Sequence, residues 1–143
     1  MKIRLLMLGK TRRAECRAMI DDYVKRIGRF AEVEVTETRD DFAAAVRKVR
    51  IGPAAVWVLL DATGKQFTSP QFSKWLEKLR DSGTRELVFL CGTDHGFPEE
   101  LRARPQHKLS LSTLTMPHEF ARVALAEQIY RAFTILHGHP YSK

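Results

Sequence analysis

The chain closes on LSLSTLTMPHEFARVALAEQIYRAFTILHGHPYSK, Leu109 to Lys143, and the reading of this stretch decides the fold. A short strand runs into a Ser/Thr-rich loop, then Pro117, then one long helix with almost no polar face. At about 100° per residue, Phe120, Val123, Leu125, Ile129, Tyr130, Phe133, Ile135 and Leu136 spread around the whole wheel. A helix that is apolar on every side is enclosed by protein or crosses a membrane. Arg122, Glu127 and Arg131 argue against a membrane span, because ionised groups in hydrocarbon are costly. Enclosing such a helix in so small a chain calls for a second subunit. The Ser/Thr loop ahead of it is therefore expected beside an interface.

The remaining composition bounds what that interface serves. A chain of 143 residues with 44% hydrophobic content makes one globular domain, spanning 1–143, with a core of its own. The formal net charge is +7 and the pI about 9.7, with cations spread along the chain rather than gathered in a tail. This balance suits a polyanion, and nucleic acid fits better than an anionic membrane because no basic amphipathic anchor is present. Cys16 and Cys91 stand far apart and match no C-x-x-C pattern, so neither a zinc site nor a disulfide framework is expected. The opening MKIRLLMLGK has the leading charge of a signal peptide. Its apolar run is too short, and Lys10, Arg12 and Arg13 replace a cleavage site, so it reads as a first strand of a cytoplasmic protein.

Apolar runs then alternate with helical patterns. Strands are expected at Ile3 to Gly9, Val33 to Thr36, Ala54 to Leu60, Glu86 to Cys91 and Lys108 to Leu111. Helices are expected at Arg12 to Phe30, Asp40 to Val49, Ser69 to Leu79 with Ser69 as cap, a short one from Pro98, and the long C-terminal one. Strands that are apolar throughout and separated by helices indicate an α/β fold: a mostly parallel sheet covered on both faces.

Ligands of open α/β sheets bind outside the carboxyl ends of the strands. Three apolar strands lead here into Asp61–Gly64, Gly92–Gly96 and Ser112–Thr115, small-residue loops that let backbone approach a ligand closely. Neither a G-x-G-x-x-G nor a G-x-x-x-x-G-K-[ST] motif is present, so dinucleotide and P-loop cradles are absent. Cys91 beside Asp94 and His95 suggests a nucleophile, but its apolar neighbours favour a buried thiol. His137 and His139 lack a third ligand, and no metal is expected. Glu127 and Arg131 stand at i, i+4 and are expected to pair. Arg122, about 140° around the helix from Glu127 at the same step, is either paired across an interface or aimed at a phosphate.

The chain carries MKI and Gly9-Lys10 at its start, Y-x-K-R-I at Tyr23 to Ile27, L-D-x-x-G-K at Leu60 to Lys65 and G-(x)3-G at Gly92 to Gly96. It then carries L-S-x-L-T-(x)2-H-(x)3-R-(x)4-E-Q-I-Y-R-A-F-(x)3-H-G-x-P-Y from Leu111 to Tyr141. These motifs together resemble the ribosomal RNA large-subunit pseudouridine N3-methyltransferase H family, within the knotted SPOUT methyltransferases, and the resemblance runs end to end. It implies an S-adenosylmethionine-dependent homodimer with a trefoil knot in its C-terminal half. Its implied substrate is N3 of a pseudouridine in 23S rRNA of the assembled ribosome, with neither metal nor membrane involved. The implied cofactor residues are Leu60, Gly92, Gly96, Leu111, Ser112, Thr113, Leu114, Thr115 and Met116.

Arg122 and Arg131 are expected to position phosphate or base, and Tyr141 to stack on the target or cover the pocket. Arg12, Arg13, Arg17, Lys25, Arg26 and Arg29 are candidate RNA contacts. The chain departs from the family pattern at Thr93, where many members carry a second Gly, and at Ser142, where many carry His. The segment from Arg39 to Gly52 is also shorter. The alternatives are a catalytically weak or silent ribosome-associated module of the same fold, and a small-molecule α/β enzyme unrelated to RNA.

Overall fold

Strands β1 (Lys2–Leu8), β2 (Glu32–Thr38), β3 (Val56–Gln66), β4 (Glu86–Cys91) and β5 (His107–Ser110) form one sheet in the order β2-β1-β4-β3-β5. Every neighbouring pair is parallel. The computed structural model describes residues 1–39, 42–92, 97 and 107–142; the expected helix from Pro98 lies outside these. Because side chains alternate across a strand, Ile3, Leu5, Met7, Leu87 and Phe89 share one face with helices α1 (Ala14–Ile27), α3 (Ser69–Asp81) and α4 (His118–Leu136). Leu6, Leu8, Trp57, Leu59, Val88 and Leu90 line the other face, covered by Val46 of helix α2 (Phe42–Val49), Ile51 and Phe97. The α/β fold with helices on both faces is as the apolar runs predict.

The cap of α3 and the end of β3 differ from expectation, each for a physical reason. Thr68, not Ser69, caps α3: its hydroxyl accepts from Gln71 N at 3.2 Å, and Gln71 Oε1 accepts from Thr68 N at 2.9 Å. This reciprocal capping box satisfies two otherwise orphaned amides. Ser69 is left to donate to Gln128 Oε1 of α4 at 2.7 Å. Strand β3 also continues past Leu60 to Gln66, through the segment expected as a loop. Leu109 of β5 is in register with both Leu60 and Lys65, so the chain bulges outward between them and then returns to the same partner. A Cβ on Gly64 would stand 2.6 Å from the backbone carbon of Lys108, and only glycine fits that close approach.

Helix α4 packs between α1 and α3 and carries Leu125, Ala126, Ile129, Ala132 and Phe133 fully into the core. Arg122 is also fully enclosed, at 0% exposure. Its guanidinium donates to Leu8 O at 2.7 Å, Gly9 O at 3.0 Å and Thr11 Oγ1 at 2.9 Å. Both readings proposed for Arg122 from sequence are therefore corrected: it neither crosses an interface nor faces a phosphate. Carbonyls at the end of β1, which run out of strand partners there, are what the charge binds. One turn earlier, the buried Glu119 accepts the amides of Arg12 at 3.0 Å and Arg13 at 2.9 Å. Those amides precede α1, whose cap residue Arg13 has no capping side chain of its own. A carboxylate from α4 takes the N-cap amide, as the Glu of a capping box would. The helix accordingly begins at Ala14 rather than at the expected Arg12.

Replacing Arg122 with Ala orphans three acceptors, each costing ~1–3 kcal/mol when buried without a partner. Urea unfolding of Arg122→Ala is expected to show a loss of about 3 kcal/mol or more, with Arg122→Lys recovering only part because one ammonium cannot reproduce the fork.

Candidate functional site

In a parallel sheet every strand ends at the same edge, and here three of those ends converge. Leu60, Asp61 and Ala62 of β3, Cys91 at the end of β4 with Gly92 and Phe97, and Leu111, Ser112, Leu114, Thr115 and Met116 after β5 enclose a cavity of about 330 Å³. His118 and Ala121 from the first turn of α4 complete it. The loop after β5 is shaped by its own hydroxyls. Ser110 Oγ donates to Ser112 O at 3.1 Å, and Ser112 Oγ accepts from Leu114 N at 2.9 Å. Leu114 lines the cavity and is left 77% exposed.

The cavity wall is mainly apolar, with few ionisable groups. Asp61 Oδ1 accepts from Thr63 N and Thr63 Oγ1, both at 2.8 Å, which fixes the outward bulge of β3. His118 lies beside the Glu119 carboxylate, Nε2 to Oε2 at 3.9 Å. Burial opposes ionisation of Glu119, but the amides of Arg13 and Arg12, with His118 and Arg122, outweigh it and hold the carboxyl below its ordinary range. Burial pushes the Cys91 thiol up to about 12 against the opposing pull of Arg122. A thiol held protonated is no nucleophile, so the buried reading of Cys91 stands.

Of the residues expected to hold a cofactor, Leu60, Gly92, Leu111, Ser112, Leu114, Thr115 and Met116 line this cavity. Thr113 is exposed and does not line it, while Gly96, like Thr93, lies outside the described residues. Asp61 and Ala62 come from the first of the three expected loops, whereas Phe97, His118 and Ala121 were not expected, although His118 stands inside a motif quoted above.

Arg131 and Tyr141 are elsewhere. Arg131 pairs with Glu127 at 2.7 Å, as its spacing predicts, and Tyr141 donates its hydroxyl to the same carboxylate at 2.7 Å. The guanidinium also lies over the Tyr141 ring, 5.0 Å from its centre. Burial and the bond to Glu127 push the phenol up from its ordinary value. Arg131 is ten residues beyond Ala121, roughly 15 Å along the helix at 1.5 Å per residue. Within a single chain, then, neither Arg131 nor Tyr141 reaches the cavity. His137 Nδ1 meets Phe133 O at 2.8 Å and His139 Nδ1 accepts from Tyr141 N at 3.2 Å, so both imidazoles have local partners.

The α1 cations divide between the two ends of the helix. Arg13 lies over the Phe120 ring at 5.6 Å, and Arg12 and Arg17 flank the end of β1. At the far end Arg26 pairs with Asp22 at 3.2 Å and lies over Tyr23 and Tyr130.

A family model described as "predicted SPOUT methyltransferase" matches residues 1–142. The chain belongs to the SPOUT methyltransferase family. It is 40% identical over 151 aligned positions to the ribosomal RNA large subunit methyltransferase H of Geotalea daltonii, covering 99% of each chain. It is 42% identical to the protein of that name from Geobacter metallireducens, covering 99% of this chain and 98% of that one. Among solved structures, a probable methylase family protein from Haemophilus influenzae superposes with a TM-score of 0.56 at 12% identity. That match covers 98% of this chain and 68% of the other, and shows the fold alone.

A SPOUT methyltransferase with this geometry has no use for a thiolate at the end of β4. Native protein treated with iodoacetamide at pH 8 is expected to leave Cys91 unmodified, and labelling should follow only on unfolding. Rapid native labelling of Cys91 would refute its burial.

Proposed function

We propose that the chain transfers a methyl group from S-adenosylmethionine to large-subunit ribosomal RNA, at N3 of a pseudouridine in 23S rRNA, and that it works as a homodimer. The observation that carries this reading is the convergence of three strand-end loops on one cavity, in a chain about 40% identical over its length to proteins named ribosomal RNA large subunit methyltransferase H. The cavity fits such a group: about 330 Å³ lies within the roughly 300–1,000 Å³ of small-molecule sites. Leu60, Phe97, Leu111 and Met116 offer apolar surface, and Ser112, Thr115 and His118 offer polar contacts. At Gly92 a Cβ would come within 2.9 Å of the Phe97 ring, so the bare backbone leaves the space that a side chain would close. Bound there, S-adenosylmethionine supplies an electrophilic methyl on a sulfonium.

The chain's own residues orient the acceptor and handle its proton. In-line displacement gains most from holding the reacting atoms in line, and the loop from Leu111 to Met116 is braced for that by its hydroxyl bonds. The imino nitrogen is a good nucleophile only when deprotonated. Among the lining residues, His118 is the imidazole placed to take that proton.

Dimerisation is supported by an apolar groove along α1 and α4, lined by Cys16, Met19, Tyr23, Phe120, Val123 and Glu127. Met19 and Phe120, 48% and 47% exposed, would be covered there by a second copy. The groove ends at Glu127, the residue that holds Arg131 and Tyr141, so the C-terminal tail stands at the joint surface, available to the other copy's cavity. The trefoil knot follows from membership of the SPOUT family. No described helix is long and apolar enough to cross a membrane.

Incubation with methyl-labelled S-adenosylmethionine and ribosomes, large subunits or naked rRNA is expected to label 23S rRNA in at least one of the three. Unlabelled RNA in all three, with the cofactor bound, would favour the silent-module alternative. His118→Asn should lower the single-turnover rate by about 10²–10⁴-fold and leave calorimetric cofactor affinity unchanged. A wild-type rate would remove the imidazole from the reaction.

A further inference from the structure

We infer that the concavity lined by Lys10, Arg12, Arg17 and Arg39 seats backbone phosphates of the RNA next to the target nucleotide. The inference rests on the rRNA reading above and adds where on the protein the strand is held. The concavity measures about 650 Å³, and these four cations are joined only by Gly9, Thr11 and Ala14, short residues that leave it open.

Several of its backbone donors are already spent, Gly9 N on Thr38 O among them. Glu119 takes the amides of Arg12 and Arg13, and Glu37 takes that of Thr11 at 3.2 Å. What the concavity chiefly offers an anion is side-chain charge. Arg17 is partly committed, donating to Thr11 O and standing 3.6 Å from Glu37. Lys10, Arg12 and Arg39 are exposed, with no ion-pair partner among the described residues. Asp40 and Asp41 follow Arg39 in the chain, outside those residues. Three cations without an ion-pair partner among the described residues repel one another around a hollow unless an anion joins them, and an RNA backbone supplies closely spaced phosphates.

Position selects this cluster over the other cations. The concavity opens at the end of β1, whose neighbour β4 ends at the cavity with Met7 beside Cys91. Glu119, which pins the Arg12–Arg13 backbone, directly follows His118 of the cavity wall. A strand resting on Lys10, Arg12 and Arg39 therefore passes close to the cavity mouth. Lys25, Arg26 and Arg29 sit at or beyond the other end of α1, and a 14-residue helix puts them roughly 20 Å away at 1.5 Å per residue. Arg26 is moreover paired with Asp22. The six cations first read as one RNA face are thus divided, and Lys10 and Arg39 join the productive half.

The test compares full-length Lys10→Ala/Arg39→Ala with Lys25→Ala/Arg29→Ala, binding large ribosomal subunits across 50–200 mM KCl. Each phosphate contact contributes about 0.7–0.9 to the log–log salt slope. The first pair should lower the slope by about 1.5 and weaken binding at least tenfold at low salt, while calorimetric S-adenosylmethionine affinity is unchanged. The second pair should leave the slope at its wild-type value. An unchanged slope for Lys10→Ala/Arg39→Ala, or an equal loss from both pairs, overturns the inference while the methyltransferase reading stands. Wild-type protein that neither binds subunits in a salt-dependent way nor methylates their RNA overturns the rRNA reading itself, and this inference with it.

Discussion

The buried guanidinium of Arg122 is the constraint around which the site end of the molecule is built. Burial lowers its affinity for the proton, but nearby Cys91, Glu37 and Glu119 oppose that, and an arginine stays charged throughout the accessible pH range. A charge in the core is tolerable only when hydrogen bonds replace water. Leu8 O, Gly9 O and Thr11 Oγ1 do so, although Nε finds no partner among the described residues. The three acceptors belong to a chain leaving its strand, where ladder partners run out. One side chain thus joins the start of α4 to the edge of the sheet at the point where the chain must turn toward α1.

Glu119 completes the same join with opposite charge. Its carboxylate receives the two amides that precede α1, so the first and last helices are set relative to each other by α4 side chains on adjacent turns. His118 and Ala121 belong to the same turns and face the cavity. Anything that displaces Arg122 or Glu119 moves the cavity wall as well, so stability and site geometry are coupled here. The second support is the close passage of β5 past Gly64, which brings the Leu111–Met116 loop against the bulge of β3. The strand-end cavity, candidate RNA concavity and helix packing share one small set of contacts at the strand ends.

Most of the fold was legible from apolar runs, because strands buried on both faces read as unbroken hydrophobic stretches. The three loops at the strand ends were legible for the same reason: a parallel sheet delivers all its carboxyl ends to one edge. Legibility failed where a contact joined residues far apart in the chain. Arg122 looked unpaired because its partners lie more than a hundred positions away, at Leu8, Gly9 and Thr11. The end of β3 was set too early because glycine and aspartate normally close a strand, whereas here β5 pairs with the residues beyond them. Thr68 was passed over as cap because Ser69-Pro70 carries the stronger local signal, yet Gln71 three positions on marked Thr68. His118 stood in a quoted motif but was not weighed as a cavity residue, since period and composition say nothing of which side chains line a void.

By itself the sequence determined the α/β class, the parallel sheet, the family and the loops that meet at the site. These follow from local periodicity and from an ordered set of motifs, which survive without knowledge of contacts. Only the tertiary structure decided what the charges do. It turned Arg122 and Glu119 into internal braces, gathered Arg131 and Tyr141 on Glu127 away from the cavity, and divided the α1 cations between two ends of a helix. Apolar burial is nondirectional and leaves its mark in spacing. A buried charge is directional and takes its role from whichever distant donors and acceptors the fold brings within about 3 Å.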